Sequence, residues 1–155
     1  MNHHGLFIKL MNRCLPVSLL STLENWFSKC VTYVKWSGSC SNSFSITCGI
    51  RQGGVLSPYL FAIYIDDLII DITKLSIGCV FHFVPVCIVV YADDIILLAP
   101  SVTALQRLVT VCESILQSLD LAINIKRSVC TGIGPRCEAL CATIEWKHSS
   151  MGYIL

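Results

Sequence analysis

The sequence predicts an α+β domain, a mainly antiparallel sheet packed by helices, and three observations carry that reading. Apolar residues recur at helical spacing in several stretches, runs rich in Val and Ile fill residues 79 to 99, and short polar turns separate neighbouring strand-like runs. In chain order, Leu6, Phe7, Leu10, Met11 and Cys14 form a short helical stripe ending near Pro16. A second helix begins at that proline, which suits a first helical position, and runs through Val17, Leu20, Leu23 and Phe27 towards Cys30. Phe44, Ile46 and Cys48 alternate, so residues 31–37 and 43–48 form a hairpin around Gly38 to Asn42. Ser57 as N-cap and Pro58 at N1 start a helix reaching about Ile72. Strands follow over 79–83, 86–91 and 95–99. Thr103 and Gln106 form a capping box for a helix carrying Leu105, Leu108, Cys112, Ile115 and Leu119 on one face, and short strands over 128–133 and 141–146 complete the chain.

Composition bounds what such a domain can be. At 155 residues there is room for one domain with a real core. Hydrophobic residues make up 54%, charged residues only 14%, and mean hydropathy is +0.69; charged residues in soluble domains average about 25%. Either the protein is membranous, or parts beyond these residues cover its apolar faces. The most apolar region, Ile77 to Pro100, contains His82, Pro85, Asp93 and Asp94, and its uncharged runs fall short of the ~20 residues of a spanning helix. Charges near a bilayer centre would add roughly 2.5–3.5 kcal/mol each, so no membrane partner is expected. Arg13, Glu24 and Lys29 interrupt the first thirty residues, which excludes a signal-peptide pattern and points to an intracellular protein, nuclear or cytoplasmic, rather than a secreted one. The ten cysteines contain no Cys-x-x-Cys; Cys137, Cys141 and His148 match no common zinc spacing, and buried free thiols are expected. His3 and His4 are expected to face solvent at a frayed terminus. A net charge of +1 does not by itself suggest nucleic acid.

The stretch richest in chemistry is Tyr91-Ala92-Asp93-Asp94, set between Cys87-Ile-Val-Val and Ile95-Ile-Leu-Leu. Two adjacent carboxylates amid apolar sequence are costly unless a cation neutralises them. A strand–turn–strand arrangement would place both at the tip of a hairpin. Hard oxygen ligands suit Mg²⁺ held by a few carboxylates plus substrate phosphates, and metal-assisted phosphoryl or nucleotidyl transfer follows as the reaction class. The plain alternative is a polar turn. A second Tyr-x-Asp-Asp, Tyr64-Ile65-Asp66-Asp67, lies where Leu60, Tyr64 and Leu68 recur at steps of four, so that copy reads as a helix-surface feature.

Taken with Gly49-Ile-Arg-Gln-Gly-Gly-Val-Leu-Ser-Pro-Tyr-Leu-Phe61, the Tyr91–Asp94 box resembles the reverse transcriptases of LINE-type (non-LTR) retrotransposons. Arg51-Gln52-Gly53-Gly54 through Ser57-Pro58 is similar to that family's motif B, and Tyr91 to Asp94 to its motif C. Ile123-Asn124-Ile125-Lys126-Arg127-Ser128 resembles motif D; Ile133-Gly134-Pro135-Arg136 also fits, and Gly152-Tyr153-Ile154-Leu155 resembles the start of the primer grip. The resemblance covers nearly the whole chain and implies a partial polymerase palm, residues 1–155, with an antiparallel sheet packed by helices. Its departure is at the start: Met1-Asn2-His3-His4-Gly5-Leu6 looks like the stretch after motif A, so the motif A aspartate and strand, the fingers start and the thumb are expected to lie outside these residues.

The resemblance further implies Asp93 and Asp94 as catalytic metal ligands for Mg²⁺ (or Mn²⁺), Asp93 the principal one. It implies Arg51, Gln52, Gly53, Gly54 and Tyr91 as nucleotide- and template-contacting residues, with an RNA template, a DNA primer and dNTPs as partners of the intact enzyme. The residues alone leave simpler readings beside these: Tyr91 as a cross-strand aromatic, Gly53-Gly54 as a turn into a helix, and Lys126 and Arg127 as a solvated edge. Motif D usually ends in Lys-Lys-Ser or Lys-Thr; here Arg127 precedes Ser128, and a guanidinium neutralises charge well but donates a proton poorly. With the motif A aspartate and strand expected outside these residues, the chain is expected to be inactive alone and to expose an apolar face where the motif A strand would pair. Its alternatives are a non-catalytic nucleic-acid-binding or interaction remnant and an apolar membrane-associated protein.

Overall fold

A computed structural model describes residues 1–50, 53–134, 143–146 and 149–151. The chain divides into two compact units, Met1–Tyr64 and Ile65–Leu155.

In the first unit, helix α1 spans His3–Asn12 and α2 spans Val17–Ser28. The Asn2 side chain caps α1 by accepting from the backbone N–H groups of His4 at 2.9 Å and Gly5 at 3.4 Å. Leu6 and Leu10, one turn apart, are fully buried, as is most of Leu23 from α2; each such leucine contributes about 1.5–3 kcal/mol by leaving water. Pro16 sits one position earlier than expected, as the residue preceding α2. The chain turns out of α1 at Cys14, whose φ is +55°, with Leu15 N–H donating to Leu10 O at 3.3 Å, the pattern that closes a helix end. His3 departs from the expected frayed terminus. Its Nε2 lies 2.8 Å from the Gly49 carbonyl oxygen, and its ring meets Phe27 edge-on at 4.6 Å. Only His4 is exposed.

The expected hairpin over 31–48 is a nested ribbon. Strand β1 (Val31–Thr32) pairs antiparallel with β4 (Phe44–Ser45), and inside it β2 (Lys35–Trp36) pairs with β3 (Ser39–Cys40). Ser37 and Gly38 both take positive φ, +46° and +85°, the two-residue turn whose twist matches paired strands. The turn thus begins earlier than Gly38, and the ladder is interrupted rather than continuous.

Helix α3 spans Ser57–Lys74. Ser57 is its first residue rather than the residue before it, because a turn closed by Ser57 N–H on Gly54 O at 3.1 Å leads straight in. Leu60, Tyr64, Leu68 and Ile72 form its buried stripe, and Asp71 pairs with Lys74 at 2.9 Å on the outside.

The second unit is built on hairpins and one further helix. β5 (Cys79–Phe81) pairs with β6 (Val84–Val86), and β7 (Ile88–Tyr91) pairs with β8 (Asp94–Leu97), both antiparallel. The strand expected over 79–83 is cut short because His82 and Phe83 take φ of +47° and +65° and turn the chain back. Gly78 makes the tightest backbone approach: a Cβ there would stand 2.1 Å from Cys87 Cβ. Helix α4 (Val102–Ser118) is capped by Ser101, whose hydroxyl accepts from Ala104 N–H at 3.2 Å. This corrects the Thr103–Gln106 capping box. Ser101 has the extended backbone a cap requires, φ −149° and ψ 159°, while Thr103 is already inside the helix. Gln106 instead reaches strand β9 (Ile144–Trp146), where its amide donates to Glu145 O and accepts from Glu145 N–H, both at 2.7 Å. β9 pairs with β10 (Ser149–Met151). Residues 128–133 form no strand, a second correction; a 3₁₀ turn over Ile125–Arg127 precedes them.

The core of this unit gathers Leu68, Ile72, Cys87, Leu108, Cys112 and Leu116. Burial, with Glu113 nearby adding to it, pushes the Cys112 thiol up to about 11. Cys87 is likewise buried, but Cys14, Cys40 and Cys48 are exposed, so burial of free thiols holds for part of the set. The architecture is α+β throughout, as expected, but among the described residues the strands form five two-stranded antiparallel ladders rather than one sheet. Cys79 N–H meets Leu98 O at 3.3 Å, a single link beside the β7–β8 hairpin rather than a ladder.

Candidate catalytic hairpin

Residues 88 to 97 alternate, and the structure uses that period of two. Ile88, Val90, Ile95 and Leu97 turn inward, while Val89, Tyr91, Asp94 and Ile96 are exposed. The register pairs Val90 with Ile95 and Tyr91 with Asp94, leaving Ala92 and Asp93 as the turn. Asp94 is therefore the first residue of β8 rather than a turn residue, a one-residue shift from the expected tip. Ala92 supplies the positive φ, +51°, that reverses the chain, at a steric cost of about 1–2 kcal/mol for a residue with a Cβ.

This geometry brings Tyr91, Asp93 and Asp94 together at one exposed end of the hairpin. Tyr91 is 82% exposed, and as the direct partner of Asp94 it is a cross-strand aromatic. Both carboxylates are exposed, and among the described residues no hydrogen bond or ion pair engages either one. The donor set fits a hard divalent cation in part: two adjacent carboxylates provide oxygen ligands of the kind Mg²⁺ accepts while keeping several waters. Among the described residues no group of three His, Cys, Asp or Glu side chains is placed to hold a metal.

The other predicted residues are distributed as follows. Arg51 and Gln52 lie outside the described residues, as do Pro135, Arg136, Cys137, Cys141, His148 and the 152–155 segment. Gly53 takes φ +74° with nothing near a would-be Cβ, so glycine is needed there for backbone conformation and not for lack of room. Gly54 O closes the turn into α3. Gly49, at the head of this loop, is held from both sides: its N–H donates to Met1 O at 2.8 Å, and its carbonyl accepts from His3. Because a carbonyl only accepts, His3 Nε2 carries the proton. That anchoring role was not read from the sequence, since nothing in the spacing of residues 3 and 49 signals it. Lys126 and Arg127 are exposed on the 3₁₀ turn. Asp66 and Asp67 lie on α3, as expected from their helical flanks. A surface cavity of about 220 Å³ is lined by Val102, Thr103, Gln106, Thr143 and Glu145, and it includes no predicted site residue. Among the described residues no helix is long and apolar enough to cross a membrane.

A family model for reverse transcriptase (RNA-dependent DNA polymerase) matches residues 1–148. The chain belongs to the reverse transcriptase family. It is also similar to the Retrovirus-related Pol polyprotein from type-2 retrotransposable element R2DM of Drosophila melanogaster, with 24% identity over 152 residues. That match covers 98% of this chain and 14% of the polyprotein, so the chain spans a small part of its relative's length. The expectation of a non-LTR-type reverse transcriptase domain is borne out by the two likenesses together.

Proposed function

We propose that this chain is a palm-region portion, residues 1–155, of an RNA-directed DNA polymerase that works by template-directed nucleotidyl transfer with two metal ions. The observation that carries the reading is the exposed, unengaged Asp93–Asp94 pair at the end of an antiparallel hairpin, in a chain of the reverse transcriptase family. Asp93 and Asp94 hold Mg²⁺, with Mn²⁺ an acceptable substitute for the same oxygen donors. When bound, such an ion stabilises negative charge on the reacting phosphates and favours the primer 3′-hydroxyl as nucleophile. Tyr91 offers a ring beside Asp94 at the primer terminus. Gly53, by its left-handed backbone, shapes the loop in which Gln52 and Arg51 contact the template–nucleotide pair, with Gly54 leading into α3. Lys126 and Arg127 neutralise the leaving pyrophosphate, Lys126 being the better proton donor. RNA template, DNA primer and dNTPs are the partners this assigns.

The pair supplies ligands from one side only, and two-metal transfer needs them on both sides of the reacting phosphate. Residues 1–155 are therefore expected to show no primer extension on an RNA template with Mg²⁺ or Mn²⁺. The direct test is Mn²⁺ binding, read by loss of the free-ion electron paramagnetic resonance signal. Asp93→Asn should remove most binding, Asp94→Asn should weaken it, and Asp67→Asn should leave it unchanged. Equal loss from Asp67→Asn, or retention in the Asp93→Asn, Asp94→Asn double variant, would overturn the site assignment.

A further inference from the structure

The loop from Gly49 to Ser57 carries glycines at 49, 53 and 54, so it has little conformational preference of its own and its shape must be imposed from outside. The imposing contacts converge on Gly49, whose φ of +94° suits glycine alone. Its N–H donates to Met1 O and its carbonyl accepts from His3 Nε2, both at 2.8 Å. One residue back, Cys48 forms an antiparallel bridge with Asn2, and Asn2 N–H donates to the Tyr64 hydroxyl of α3. The His3 ring in turn packs edge-on against Phe27 of α2 at 4.6 Å. Phe27, Ile50 and Ser57 line one small cavity, so α2 meets both ends of the loop. All of these residues belong to the Met1–Tyr64 unit. A half-buried glycine carbonyl can take its hydrogen bond from water at little cost. What the histidine donor adds is a fixed place for the head of the loop, two residues before Arg51.

We propose that His3 is a positioning residue for nucleotide incorporation, holding the Gly49–Ser57 loop in the arrangement that receives the incoming dNTP. The inference rests on the polymerase reading above and deepens it. His3 touches neither nucleotide nor metal; it acts through the Gly49 carbonyl. A loop that samples several arrangements presents its contacts only part of the time, and apparent affinity falls by that fraction. Once a nucleotide is bound, the ligand itself holds the loop and the chemical step proceeds as before. Loss of the His3 donor therefore shows in the KM for dNTP rather than in kcat. A role in folding stability alone predicts the opposite split: fewer active molecules, hence a lower apparent kcat, with KM unchanged.

The experiment compares three substitutions in a longer chain that supplies the remaining polymerase segments, with circular dichroism checking that each variant folds. His3→Ala removes ring and donor, His3→Phe keeps a ring against Phe27 without a donor, and His3→Gln keeps an N–H donor without the ring. Single-nucleotide extension on an RNA template should show the KM for dNTP raised about fivefold in His3→Ala and His3→Phe, the size expected for one lost hydrogen bond. In both, kcat should stay within about twofold of the parent, and His3→Gln should restore KM to within about twofold. Hydrogen exchange over residues 48–56 should be about fivefold faster in the same two variants and near the parent rate in His3→Gln. His4→Ala, at the exposed neighbouring position, should change neither readout. If the parent longer chain extends no primer, the polymerase reading fails and this role with it. If the parent extends and KM is unchanged in His3→Phe, the inference alone is overturned. Equal rises in KM for His3→Gln and His3→Phe, a fall in kcat at constant KM, or a matching effect of His4→Ala would each overturn it as well.

Discussion

Tyr64 and Tyr91 each head a Tyr-x-Asp-Asp box, yet the first ring is 1% exposed and the second 82%. In the first box the tyrosine belongs to a helical stripe with Leu60, Leu68 and Ile72, and its hydroxyl accepts from Asn2 N–H at 3.3 Å. Lys9 also donates to its backbone carbonyl. In the second box the flanking apolar residues alternate, so the tyrosine and Asp94 share the outward face of a hairpin. Identical letters thus give a core anchor in one place and a chemically open end in the other. What separates them is the period of their neighbours, about 3.6 residues against 2.

The largest expected effect sharpens that contrast through activity. In a longer chain that supplies the remaining polymerase segments, Asp93→Asn should abolish primer extension, because it removes the charge of the proposed ligand while keeping the shape. Asp66→Asn should leave extension largely intact; equal loss from both would erase the distinction between the boxes. Stability should show the reverse order. Tyr64→Ala should cost about 3–5 kcal/mol as a buried large-to-small change, whereas Tyr91→Ala should stay within about 0.5 kcal/mol. Urea unfolding of the two variants measures both, and similar midpoints would contradict the burial difference.

A smaller effect concerns how the exposed box is seated. Gly78 approaches Cys87, the residue before β7, so closely that Gly78→Ala must displace one of them. A loss of about 1–3 kcal/mol is expected, as for an overpacked core, together with faster hydrogen exchange in β7 and β8. The smallest effect is at the turn. Ala92→Gly relieves a Cβ at φ +51° but loosens the unfolded chain, so a net gain below about 1 kcal/mol is expected in the same unfolding measurement. A clear loss would mean that the Ala92 methyl group contributes more than the backbone strain costs.

Much of this was legible in the sequence because it depends on local period and local chemistry. The helices over 3–12, 17–28, 57–74 and 102–118 follow apolar spacing, and the hairpin carrying Asp93 and Asp94 follows alternation around a polar turn. Less legible were features that depend on which distant groups meet. His3 reads as a frayed terminal residue until Gly49 offers its carbonyl. Gln106 reads as half of a capping box until Glu145 arrives as a backbone partner 39 residues away. The early turn at His82 and Phe83 was hidden because a bulky residue such as Phe83 rarely takes positive φ, and only hairpin closure makes that backbone acceptable.

The sequence by itself determined the family motifs, their order, and which Tyr-x-Asp-Asp lies on a helix, since each is a matter of residue identity and spacing along one chain. Tertiary structure alone decided that the strands among the described residues form separate ladders, that Asp94 begins β8 rather than lying in the turn, and that Gly49 is anchored by His3 and Met1. Register and long-range hydrogen bonds arise from competition among many partners for the same backbone groups. Such a competition is resolved in three dimensions, where chain separation no longer measures distance.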